Sequence, residues 1–165
     1  MGPGGHDEAS LGYRGAAMNM PTAEELNRSR RGYDAFYGLE LLELSETEVR
    51  ARVLVRDELK QPVGLVHGGI YASLAESVTS LATAAAVIPE GNMATGLSNV
   101  TNFLRPITDG HVHALGTRVH RGRTTWVWDV RMSDDADRIC AVTRMTIAVR
   151  PLPDAYAQAQ PPTAG

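Results

Sequence analysis

The chain has 165 residues, enough for one ordinary domain with a real core. With 43% hydrophobic and 21% charged residues and a net charge of −3 it reads as globular, and the mildly acidic balance excludes broad electrostatic binding to nucleic acid or a membrane surface. Cys140 is the only cysteine, which excludes an intrachain disulfide and a cysteine-based metal centre and suits a reducing, cytoplasmic setting.

Residues 1–21 are Gly-rich with scattered charge, lack the basic start and apolar core of a secretion signal, and are expected to be disordered. Thr22-Ala23-Glu24-Glu25 has the form of a capping box, opening a helix to about Tyr37 on which Leu26, Tyr33 and Tyr37 share a face. Gly38 ends it, and an extended segment runs from Leu39 to Leu44. From Thr47 to Arg56 the chain alternates, with Val49, Ala51, Val53 and Val55 on one side and charged residues largely on the other, the signature of a half-buried antiparallel strand. A loop over Lys60–Val66 carries Gln61 and Pro62, and a long apolar helix follows from Gly68, closed by Pro89-Glu90-Gly91-Asn92.

Four strands come after it, separated by turn signals: Met93–Leu104, His111–His120, Arg123–Met132 and Arg138–Val149. Cys140 alternates into the last of these as a packed thiol, and the tail over 153–165 reads as disordered. The folded unit, 22–152, is α+β. A helix apolar nearly all round needs cover on most of its surface, so one antiparallel sheet is expected to wrap around the long central helix, a hotdog arrangement. The remaining sheet face and edge call for a second copy, a homodimer at least.

The long helix is about the length of a membrane span, but its Ala, Ser, Thr and Gly content and central Glu76 argue against a membrane partner. Glu76 is the one charge in the run Gly68–Pro89. A carboxylate inside a buried helix is costly unless it is paired, so this one demands an explanation, and burial would raise its basicity. Ser73, Glu76, Ser80 and Thr83 recur at i, i+3, i+7 and i+10, a stripe of small hydroxyls around one charge that suits a narrow cavity better than a solvated face; Leu74, Val78, Leu81 and Ala85 form another. The helix is entered through His67-Gly68-Gly69, where free N–H groups offer an oxyanion site.

Gln61-Pro62-Val63-Gly64-Leu65-Val66-His67-Gly68-Gly69 with Leu74-Ala75-Glu76-Ser77, then Asn102-Phe103-Leu104-Arg105-Pro106 and His120-Arg121-Gly122-Arg123, resembles the hotdog-fold acyl-CoA thioesterases of the 4-hydroxybenzoyl-CoA and phenylacetate-pathway type, in the branch that carries Glu on the helix. The resemblance implies hydrolysis of acyl-CoA thioesters, on aromatic or medium-chain acyl groups, with no cofactor. It implies Glu76 as the catalytic carboxylate, nucleophile or base, and the Gly68 N–H as the oxyanion donor. Gln61 and His67 would orient substrate or water, and Ser80 would help place them. It further implies a homotetramer built from dimers and a site at a dimer interface, with Gln61, His67 and Gly68 of one subunit facing Glu76 and Ser80 of the other. Arg105, Arg123, Thr124 and, less centrally, Arg150 would meet the CoA phosphates, where an arginine fork suits better than the chain's single lysine, Lys60.

Other features carry no expected role. His111 and His113 share a strand face at a spacing that can bind metal, but no carboxylate or cysteine pattern accompanies them and no metal is expected. Trp126 and Trp128 share a face and are expected to pack on the helix or a partner subunit. Two further readings stay open: a hydratase or dehydratase on the same fold, and an acyl-CoA-binding regulator. Arg28, Arg30 and Arg31 hint at DNA contact for the latter, yet there is no room before residue 40 for a helix-turn-helix domain.

Overall fold

The computed structural model describes residues 20–153, so most of the two flanking segments expected to be disordered lies outside the described residues. The capping box forms as the sequence predicts: Thr22 Oγ1 accepts from the Glu25 N–H at 3.2 Å and Glu25 Oε2 accepts from the Thr22 N–H at 2.8 Å. The single helix expected to reach Tyr37 is instead two, α1 (Ala23–Ser29) and α2 (Gly32–Tyr37). Arg30 and Arg31 have extended backbone and Gly32 takes φ +60, which turns the chain between them. The break parts Leu26 from the two tyrosines, which still pack on each other with ring centroids 5.1 Å apart; Tyr37 is buried and Leu26 half-buried, while Tyr33 is exposed.

Strands β1 (Glu40–Leu44) and β2 (Glu48–Leu54) follow, the second burying Val49, Ala51 and Val53 as its alternation predicts. A 20-residue helix, α3 (Gly68–Val87), then crosses to β3 (Asn92–Phe103), β4 (His111–Arg121), β5 (Thr125–Ser133) and β6 (Ile139–Pro151). The six strands form one antiparallel sheet in the order β1-β2-β4-β5-β6-β3. Helix α3 packs against β2, β3, β4, β5 and β6. That is the hotdog architecture, one long helix held in a single sheet.

The helix buries Leu74, Ala75, Val78, Ala82 and Ala85 against the sheet. Gly68–Glu90 is long and apolar enough to cross a membrane by length and composition, and here its apolar side is taken up by the sheet. Thr79 and Thr83 are fully buried, and each hydroxyl donates to the carbonyl one turn back, Ala75 O and Thr79 O. Thr83 Oγ1 also accepts from Trp128 Nε1 at 3.0 Å. Trp126 and Trp128 thus pack inward, and the Arg118 and Arg121 guanidinium groups cover Trp126. They take the helix-packing role and are not available for a contact between subunits. Cys140 is buried, as its alternation predicts.

Among the described strands β3 stands apart. It pairs only with β6, its register shifts between Gly96 and Ser98, and Leu97, Val100, Phe103 and Leu104 on or just after it are 57–60% exposed. A long, exposed, apolar edge strand leaves backbone groups and apolar side chains uncovered together.

Candidate active site

The loop before α3 is held from three directions. The Gln61 N–H donates to Leu65 O, the Gly64 N–H to Gln61 O and the Val66 N–H to Ile107 O. The His67 N–H donates to Leu59 O at 2.8 Å, which anchors the start of the helix.

A helix start leaves its first N–H groups without intrahelical acceptors. Here the Gly69 N–H donates to the His67 side chain, Nδ1, at 2.9 Å, and the Ile70 N–H to His67 O. The Gly68 N–H alone in this turn has no acceptor among the described residues. Since Nδ1 accepts, the neutral His67 ring carries its proton on Nε2 and offers that N–H as a donor. No acidic residue occupies the first turn, so the positive end of the helix dipole is uncompensated there.

Phe103, from the end of β3, lies over Gly68: a Cβ on Gly68 would stand 3.0 Å from the ring's Cζ. Phe103 also packs on Tyr71, one turn along α3, with ring centroids 6.0 Å apart. Gln61, His67, Gly68, Tyr71, Phe103 and Arg105 are among the residues around a cavity of about 450 Å³, closed further by Leu65, Leu104 and Pro106. Burial pushes the Tyr71 phenol up to about 12; its hydroxyl lies near the Ile107 backbone without closing a hydrogen bond. Tyr71 and Phe103 have no role in the sequence reading. Phe103 stands inside the quoted Asn102–Pro106 run, and Tyr71 at i+3 from Gly68 is the signal that could have found the other.

Glu76 and Ser80 lie outside this cavity. Eight residues separate Gly68 from Glu76, roughly 12 Å at 1.5 Å per residue, too far for both to act on one carbonyl. The expected buried carboxylate is, in one protomer, exposed. Its carboxylate has no hydrogen-bond or ion-pair partner among the described residues, and Oε1 lies over Gly96 of β3, where a Cβ would stand 3.9 Å away. The hydroxyl stripe is narrower than its spacing suggests, since Ser73 donates to Tyr33 Oη at 3.2 Å and Thr83 is bonded into the core. Glu76 and Ser80 remain on the open side of α3.

The expected phosphate contacts divide in two. Arg105 is exposed beside the cavity, its backbone N–H bound to Cys140 O near the start of β6. Thr124 meets the other end of β6, its carbonyl accepting from the Val149 N–H, with Arg123 exposed beside it. Nine residues of strand separate those ends, roughly 30 Å at about 3.3 Å each, so one protomer does not gather the four residues into one site. Arg150 Nη1 donates to Thr124 O at 2.8 Å and Val149 O at 2.9 Å, so this guanidinium already props the turn.

The profile of the Thioesterase superfamily matches residues 63–141. A crystal structure of a Pseudomonas aeruginosa thioesterase variant aligns with a TM-score of 0.77 and 34% identity over 82% of this chain and 98% of that one. A Haemophilus influenzae thioesterase structure aligns with a TM-score of 0.75 and 32% identity over 79% and 92%. A 1,4-dihydroxy-2-naphthoyl-CoA hydrolase of Listeria monocytogenes is 29% identical over 119 residues, 72% of this chain and 96% of its own length.

Proposed function

This chain belongs to the thioesterase superfamily, and on that premise we propose that it hydrolyses acyl-CoA thioesters at a site shared between two copies. One observation carries the reading. Helix α3 runs antiparallel to the unpaired edge β3, so that Gly68 stands at the level of Phe103, Ala72 at Asn99 (whose Nδ2 donates to Ala72 O at 2.9 Å) and Glu76 at Gly96. A two-fold axis between Asn99 and Val100, pairing β3 with its copy, would bring the free Gly68 N–H of one protomer opposite Glu76 of the other. The same operation would set Arg105 of one protomer near Arg123, Thr124 and Arg150 of its copy, the two halves a CoA spanning both chains would need.

In that assembly the thioester carbonyl lies against the Gly68 N–H, with the helix N-terminus favouring negative charge on its oxygen. Glu76 accepts a proton from water, the hydroxide adds to the carbonyl carbon, and the tetrahedral oxyanion collapses by expelling the CoA sulfur, which takes a proton back. With Glu76 as nucleophile instead, its oxygen displaces the thiolate and water cleaves the resulting anhydride. Both routes need the same carboxylate and the same N–H. Gln61 and the His67 Nε2–H would hold substrate or water, and Ser80, one turn past Glu76, would steady the attacking group. A location in the cytoplasm agrees with the unpaired, buried Cys140.

The aromatic wall of Tyr71 and Phe103 favours flat acyl groups, in keeping with a naphthoyl-CoA hydrolase among the relatives. Thiol release measured across a panel of aryl- and alkyl-CoA esters tests this. Aryl esters are expected to turn over with the highest kcat/KM. Binding of every ester without thiol release would identify a sensor, and a product that keeps its thioester would identify a hydratase.

A further inference from the structure

The histidines two apart on β4 were expected to lack a carboxylate. The fold supplies one: Asp135, in the turn between β5 and β6, reaches back across β4. Its Oδ1 stands 2.7 Å from His113 Nε2 and 3.4 Å from His111 Nδ1, and its Oδ2 accepts from the His111 backbone N–H at 3.1 Å. The three donor atoms all lie within 4.8 Å of one another.

The geometry points to a three-ligand site for a zinc-class divalent cation formed by His111 Nδ1, His113 Nε2 and Asp135 Oδ1. Bonds of about 2.0–2.2 Å at tetrahedral angles put ligand atoms roughly 3.3 Å apart. The His111–Asp135 pair already has that separation, and the His113–Asp135 pair reaches it by opening about 0.6 Å as the cation replaces the proton they share. The second carboxylate oxygen is fixed by the backbone, the kind of outer-shell contact that orients a ligating group. Gly110 makes room for this carboxylate: a Cβ there would overlap Asp135 Oδ2, and its φ of +73 suits glycine.

The neighbouring charge does not oppose a cation. Arg52, whose Cα pairs with that of His113, is held by Glu40 through two hydrogen bonds of 2.6 and 3.1 Å. Both rings are partly exposed, so a cation can enter from solvent and keep a water in its fourth position. Bound there it would clamp the start of β4 to the β5–β6 turn, on the face of the sheet away from α3.

Zn²⁺ titration of the untagged full-length chain against a chromophoric chelator tests the site, with Co²⁺ absorption reporting coordination. One Zn²⁺ per chain is expected, with tetrahedral Co²⁺ bands. His111→Ala/His113→Ala should weaken the affinity at least ~100-fold, and Asp135→Asn at least ~10-fold. His6→Ala and His120→Ala should leave it unchanged. Melting in chelator-treated buffer establishes that each variant is folded, and added Zn²⁺ should raise the melting temperature of the wild type but not of the double variant. Absence of stoichiometric Zn²⁺ binding, or binding that survives in the folded double variant, would overturn the assignment.

Discussion

Glu76→Gln lowers kcat/KM for the best acyl-CoA ester at least ~100-fold, the scale of losing a group that accepts a proton or attacks in the transition state. The substitution keeps the shape of the side chain and removes only its basicity. Folding should be untouched, because in the protomer the carboxylate is exposed and has no hydrogen-bond or ion-pair partner among the described residues. Ligand binding should weaken far less than turnover, since the group acts on the reacting carbon rather than on CoA. A variant retaining more than a tenth of wild-type kcat/KM would remove Glu76 from the chemistry. Equal loss of affinity and turnover would make it a binding residue.

Gly68→Pro costs about 10²–10³ in kcat, the loss measured when one oxyanion donor is removed from an acyl-transfer site. Proline is tolerated at the first position of a helix, where its missing N–H bonds to nothing within the helix. His67 before it has φ −64 and ψ 134, the extended backbone a following proline demands. The exchange therefore deletes the one first-turn N–H without an acceptor and spares the helix. Gly68→Ala is the control, because it brings the same 3.0 Å approach to Phe103 and keeps the N–H. Alanine is expected within about tenfold of wild type and proline well below it, with kcat rather than KM carrying the difference. Equal losses in the two variants would assign the effect to the displaced Phe103 ring and not to an oxyanion hole.

What was legible in the sequence is what local periodicity writes. The strand of Val49, Ala51 and Val53, the long apolar helix and its single charge all follow from side-chain spacing, and the sheet around the helix follows from the need to cover that helix. Contacts set by topology were not legible. Thr83 stands only about 20° around the helix from Glu76, yet it is buried because Trp128, from a strand 45 residues on, meets its hydroxyl. Phe103 reaches Gly68, and Asp135 reaches His113, only because β3 folds back along α3 and the β5–β6 turn lands beside the start of β4. Arg150 looks like a free cation in sequence and is tied to Thr124 by a turn that spacing does not reveal. Glu76 differs in kind, since it is exposed in the single chain and only the proposed pairing of two copies would bury it.

Complementation between two silenced chains tests the shared site most directly. Glu76→Ala and Gly68→Pro proteins, each nearly inactive alone, would be unfolded together and refolded at equal amounts. If each site joins Gly68 of one copy to Glu76 of the other, half of the dimers are mixed and each mixed dimer has one intact site of two. Activity should then return to about a quarter of wild type. Activity that stays at the level of the separate variants, in a mixture shown to contain mixed dimers, would contradict a site built from two copies.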